Sequence, residues 1–152
     1  MPKRAEERKA ELVAAALALV RERLPEAEVP MAERFVLRWF RDIAPADLLG
    51  ADPLDLYGKA VAHLRFGRQR QPGAAKVRVY NPNVEQHGWQ STHTIVEIVN
   101  DDMPFLVDSV GMELTRRGFG IHLVVHPIYR VRRDGDGRLL DIAEAVPGES
   151  GD

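Results

Sequence analysis

The 152-residue sequence contains no cysteine, an absence that removes disulfide staples, thiol nucleophiles and thiolate metal sites together. It fits a reducing compartment, and the cytoplasm is the expected location. No apolar run reaches the roughly 18 residues of a membrane-spanning helix, so no membrane partner is expected. Neither sign of charge is in excess: 21 Lys and Arg against 23 Asp and Glu leave a formal net charge of −2, with no global attraction to nucleic acid. The catalytic signatures are missing too. There is no Gly-x-Ser-x-Gly elbow around Ser109 and no Walker-type phosphate loop, and Gly118 and Gly120 lack a third glycine and lead into a strand pattern, whereas a pyrophosphate loop opens a helix. The opening "MPKRAEERKAELVAAALALV" is not read as a signal peptide. Glu6, Glu7 and Glu11 interrupt its basic residues, and "RERLP" follows where a small-residue cleavage site would stand.

What is present is ordinary globular material, 45% hydrophobic and 29% charged. Leu12, Ala16, Leu19 and Arg23 or Leu24 recur at helical spacing until Pro25, which predicts a first helix over 5–24. A second opens at Pro30, with Phe35, Val36, Trp39, Phe40 and Ile43 on one face, and stops at Ala44 and Pro45. Asp52 followed by Pro53 is a cap and a first-turn proline for a third, which carries Leu56, Tyr57, Ala60, Val61 and Leu64 and is expected to end at Pro72 and Gly73.

The period then changes from 3.6 to 2. "KVRVY" alternates charged and apolar residues, and "HTIVEIVN" is β-branched with apolar groups on both faces, which predicts a central strand. Met103 to Arg117 returns to helical spacing with Met103, Val107, Val110 and Leu114 on one face, and Gly118 terminates it. Ile121 to Arg133 reads as one long strand with Pro127 at an edge or bulge, parallel to the preceding strand through a right-handed crossover. "DGDG" then turns into the short strand "RLLDIA". The fold class is α+β: a helical segment over 1–73, an α+β module over 74–145 and a flexible tail over 146–152.

The loop "NDDMP" between strand and helix has three readings. Asn100, Asp101 or Asp102 caps the helix, with Pro104 in its first turn. Alternatively, free amides at the helix start hold a small anion such as an amino-acid carboxylate while an aspartate pairs with its ammonium group. Metal or acid–base chemistry by Asp101 and Asp102 is the weakest, since no Glu or His stands at a fixed helical spacing from them. His122 and His126 share a strand face, but four residues at about 3.3 Å each put them about 13 Å apart, too far for one metal ion. No metal, catalytic or cofactor-binding residue is assigned. His87 and His93 flank Trp89, for which packing is the commoner outcome. The arginines at 65, 68, 70 and 78 have only Phe66 and Tyr80 among them for base stacking, so a solvated or subunit-facing surface is expected over a nucleic-acid partner.

Three phrases carry a resemblance: "DLYGKAVAHLRFGRQRQPGAAKVRVYNP", "HGWQSTHTIVEIVNDDMPFLVDSVGMEL" and "GIHLVVHPIYRVRRDGDGRLL". They closely resemble the N-terminal region of the large bacterial NAD-specific glutamate dehydrogenases, from about Phe35 to Ile142. The resemblance implies a parent enzyme that oxidatively deaminates L-glutamate to 2-oxoglutarate and ammonia with NAD as hydride acceptor. It further implies that this stretch is a helical leader plus a first, incomplete ACT-like (ferredoxin-like βαβ) module, with catalysis elsewhere in the parent. ACT modules commonly bind amino acids at a loop written Asp-x-Pro-Gly. Asp102, Met103 and Pro104 match it, and Phe105 stands in the glycine position, where its ring is expected to fill the ligand space or pack beneath the sheet. The expected partners are therefore the rest of a dehydrogenase chain, further copies of it in a homo-oligomer and an amino-acid effector, and the chain is expected to be a fragment. The alternative is a stand-alone small-molecule (amino-acid) binding module.

Overall fold

The computed structural model describes residues 2–143, so the tail expected over 146–152 lies outside the described residues. Three helices form the core: α1 (Pro2–Arg23), α2 (Val29–Arg41) and α3 (Pro53–Phe66). On α1 the fully buried residues are Leu12, Ala16 and Val20, an i, i+4 row that continues to Leu24. Leu19 packs only partly against it, and Arg23 is exposed. On α2 the expected face is buried as a set, with Phe35, Val36, Trp39 and Phe40 all at or below 5% exposure. Trp39 and Phe40 meet edge to face, ring centroids 5.0 Å apart. α3 starts as its sequence dictates, since the Asp52 side chain accepts a 2.8 Å bond from the Leu54 amide and Pro53 opens the first turn. It ends at Phe66, short of Pro72. There the Lys76 ammonium donates to the Phe66 and Gln69 carbonyls at 2.8 and 2.9 Å, so a lysine from the following strand satisfies the helix end.

Two antiparallel ribbons follow. β1 (Lys76–Tyr80) pairs with β2 (Ile95–Val99), Lys76 opposite Val99 and Tyr80 opposite Ile95. Between them lies a one-turn helix, α4 (Val84–His87), capped by Asn83. Then comes α5 (Leu106–Arg116), with no buried residue, and a hairpin of β3 (Val131–Arg133) and β4 (Leu139–Ile142) closed by the "DGDG" turn, where Asp134 accepts from the Asp136 and Arg138 amides. β4 seats Ile142 in the helical core, and Arg34 of α2 bonds the Ile142 carbonyl at 2.9 Å and Asp141 at 2.7 Å. The architecture is α+β. Among the described residues no helix is long and apolar enough to cross a membrane.

Three strand expectations are corrected. Among the described residues β2 is bonded to β1 alone and is not central. The long strand over 121–133 reduces to Val131–Arg133, and it does not run parallel to β2 in a common sheet. Its alternation is real: Leu123, Val125 and Tyr129 turn one face onto the helical core, while Val124 and Ile128 face outward. A period of two reports which face is covered and is silent on whether the backbone pairs. The first ribbon also inverts the usual polarity. Val77 and Val79 are exposed, whereas Glu97 on the opposite face is only 5% exposed.

Candidate functional site

The loop between β2 and α5 is where sequence reasoning directed attention. Its side chains do not cap the helix. The N-cap is Phe105, in the left-handed region at φ 63°, with no side-chain cap bond, and the first helical bond runs from the Ser109 amide to the Phe105 carbonyl. Phe105 is the one non-glycine residue with positive φ among those described, a backbone geometry that usually favours glycine. Its ring neither fills a ligand space nor packs beneath the sheet, being 75% exposed.

With capping set aside, the loop's polar groups turn elsewhere. Asp101 accepts a 2.9 Å bond from Nη1 of Arg70, which holds the Asp101 carboxyl below its ordinary pKa, first by that bond and then by the arginine's charge. The Asn100 amide donates to Sδ of Met103 at 3.3 Å. Asp102 and Pro104 are exposed, and the Asp102 carboxylate makes no hydrogen bond or ion pair among the described residues.

Arg70 was legible only as one member of a basic cluster. In the structure its side chain is 10% exposed. The backbone of 68–70 runs against the β3–β4 turn, with the Arg70 amide on the Gly137 carbonyl at 3.0 Å and the Leu139 amide on the Arg68 carbonyl at 2.7 Å. This carries the side chain inward. Nε donates to the Ala74 carbonyl at 2.7 Å and Nη1 to Asp101, leaving Nη2 buried without a hydrogen-bond partner.

Arg70 lines a cavity of about 240 Å³ between the end of α3, the acidic loop, the segment over 126–129 and the β3–β4 hairpin. Asn100, Asp101 and Asp102 line it as well; Pro104 does not. Arg133 contributes a second cation and donates to the Gly137 carbonyl at 3.0 Å. Burial lowers the Arg133 pKa, and the positive charge of Arg70 lowers it further. Tyr129 closes another side with its hydroxyl on the Phe35 carbonyl.

Beside the cavity lies a buried ionic knot that no sequence spacing signalled. Glu97 accepts from Nε of Arg78 at 2.7 Å and from Nη2 of the same guanidinium, and its other oxygen meets Nδ1 of His63 at 2.9 Å. The cations of β1 also cover the two rings considered for base stacking. Lys76 and Arg78 lie over Phe66 at 4.6 and 4.8 Å, and Arg78 over Tyr80 at 4.3 Å. Arg70, Lys76 and Arg78 are thus engaged in intramolecular bonds, and Arg68 pairs with Glu28, while Arg65 is exposed. Trp89 is packed, at 2% exposure, against Gly58, where an added Cβ would fall 2.3 Å from its ring. His122 meets His93 ring to ring at 4.1 Å, and the described residues contain no group of three or more side chains able to hold a metal ion.

Residues 35–152 match the family described as "Glutamate dehydrogenase, ACT1 domain". The chain belongs to this family. Two curated relatives carry the name NAD-specific glutamate dehydrogenase. The chain is 40% identical to that of Halomonas elongata over 121 residues, which is 80% of this chain and 8% of the relative. It is 41% identical to that of Pseudomonas aeruginosa over 119 residues, 78% of this chain and 7% of the relative. The chain therefore spans less than a tenth of the length of these relatives. No solved structure gives a significant match. The ACT1 region so identified includes both ribbons, α5 and the acidic loop, while α1 lies outside the matched residues.

Proposed function

We propose that this chain is the N-terminal regulatory and assembly segment of a cytoplasmic, homo-oligomeric NAD-dependent glutamate dehydrogenase, the parent enzyme oxidising L-glutamate to 2-oxoglutarate and ammonia. In this reading residues 1–73 act as a helical leader and 74–145 as the ACT-like module, with chemistry and NAD binding carried by other parts of the parent. The similarity to two dehydrogenases over about four-fifths of the chain is the observation that carries it. The assembly role is supported by the aliphatic outer face of the first ribbon, where Val77, Val79 and Val96 are exposed at 58%, 62% and 41%. The sensing role is supported by the cavity that Asn100, Asp101 and Asp102 line; Pro104 directly precedes Phe105, the N-cap of α5.

An antibody raised against the segment tests this reading in cell extract. The expected result is a band far above 17.1 kDa that co-purifies with NAD-dependent glutamate oxidation. A band at 17.1 kDa without that activity would overturn it in favour of a stand-alone amino-acid-binding module, which the same cavity supports. Glutamate oxidation by the purified 152-residue chain would refute the non-catalytic assignment. For the loop, calorimetry with glutamate and other amino acids is expected to give binding heat, and its absence at millimolar ligand removes the sensing role.

A further inference from the structure

We propose that His93 and His122 form a two-histidine site for a divalent transition-metal ion of the nickel, copper and zinc group. The ion joins the start of β2 to the stretch after α5, and the inference stands apart from the dehydrogenase reading.

The chain has five histidines, and three of them are placed elsewhere. Nδ1 of His63 meets Glu97 at 2.9 Å, Nδ1 of His87 accepts from the Asn83 amide at 3.0 Å, and His126 lines the cavity beside Arg70. His93 and His122 turn to each other, ring centroids 4.1 Å apart and planes 70° from parallel. Spacing along the chain pairs His122 with His126, about 13 Å away on an extended backbone. Tertiary structure pairs it with a residue that precedes β2.

Both residues are exposed, so an ion reaches them from solvent. Neither ring is paired with a carboxylate, and His122 makes no hydrogen bond among the described residues. On His93 the Thr92 hydroxyl meets Nδ1 at 3.3 Å. With Nδ1 donating to that oxygen, Nε2 carries the lone pair, and a hydrogen bond on the second ring nitrogen is what orients metal-binding histidines.

The spacing favours some ions over others. A metal–nitrogen bond of ~2.0–2.1 Å puts each imidazole centroid ~3.2 Å from the ion, so rings at right angles about it stand ~4.5 Å apart and rings at the tetrahedral angle ~5.2 Å. The observed 4.1 Å lies nearer the right-angle arrangement, which square-planar and tetragonal nickel or copper adopt. Rotation of two exposed side chains opens the remaining ~0.4 Å. Among the described residues no third His, Cys, Asp or Glu joins the pair, so water completes the coordination and the site is open.

The test titrates the 152-residue chain with Ni²⁺ by calorimetry and follows the histidine ring protons by nuclear magnetic resonance with diamagnetic Zn²⁺. The His93 and His122 ring signals are expected to move together with one midpoint, and the His87 signal to stay in place. His93→Gln and His122→Gln are each expected to weaken Ni²⁺ binding by about tenfold or more, because loss of either ring removes the chelate. The double variant is expected to bind little more weakly than either single one, and His126→Gln to bind as the wild type does. Ni²⁺ is expected to raise the melting temperature of the wild type more than that of either single variant. Melts without metal establish that each variant folds. The proposal is overturned if Ni²⁺ shows no saturable binding, if either single variant binds it undiminished, if His126→Gln weakens it as much, or if the two rings do not move together.

Discussion

Tyr129 lies flat against Phe35, ring centroids 4.5 Å apart and planes 7° from parallel, and its hydroxyl donates to the Phe35 carbonyl at 2.7 Å. This contact pins the irregular stretch after α5 to the helical core across 94 residues of chain. Tyr129→Phe removes one hydrogen bond and is expected to cost about 1 kcal/mol, read as a lower urea midpoint with unchanged slope. Tyr129→Ala also loses the stacked ring and is expected to cost about 3 kcal/mol or more. Burial pushes the Tyr129 phenol well above its ordinary 10.0, so the folded state holds the proton more tightly than the unfolded one. Its contribution is complete below pH 10.0 and is lost as pH rises toward the folded value. Tyr80 is pushed up to about 12, mainly by burial, and shares the effect. Alkaline destabilisation is therefore expected to be reduced, and not abolished, in Tyr129→Phe.

Glu97→Ala leaves Arg78 and His63 facing each other without their shared carboxylate. Removing one partner from a buried ionic cluster costs about 3 kcal/mol. Arg78 is 36% exposed, so part of its charge returns to water and the loss is expected at or just below that figure. Chemical denaturation measures it, and a change under 1 kcal/mol would mean that the knot contributes little.

Phe105 sits at φ 63° with its ring in solvent, so its strain is not offset by packing. Phe105→Gly relieves that strain but gives the unfolded chain more freedom, and the balance is expected to be a stabilisation of about 1 kcal/mol. A β-branched substitution, Phe105→Val, is expected to lower the melting temperature instead.

Asp101 titrates below its ordinary 3.8 because Arg70 bonds and neutralises its charged form. The depressed folded pKa means that this tie is intact above pH 3.8 and is lost as pH falls through the folded value. A carboxyl-detected titration is expected to place the Asp101 midpoint below 3.8 in the wild type and to return it toward 3.8 in Arg70→Met. An unshifted midpoint in the wild type would remove the Arg70–Asp101 link.

The helical part was read nearly whole from local order. The row through Leu12 and Ala16, the α2 face from Phe35 to Ile43 and the Asp52–Pro53 start of α3 each depend on neighbours within a turn or two. The acidic loop was also located correctly in the chain, because the change from β-branched to helical spacing marks it. Its bonding was not legible. Capping by Asn100, Asp101 or Asp102 follows from proximity alone, yet Arg70, 31 residues earlier, takes Asp101 for the wall of the cavity.

The order of residues alone thus determined the three core helices, the turn at "DGDG", the position of the loop and, through long shared phrases, membership of the glutamate dehydrogenase ACT1 family. Tertiary structure alone decided that Glu97 is buried while Val77 is not, that Leu123, Val125 and Tyr129 pack on the helical core outside any strand, and that Arg70 turns inward with one nitrogen unbonded. The reason is physical. Helix periodicity and capping are set by contacts a few residues apart, whereas burial of a charge depends on which distant segments supply its partners.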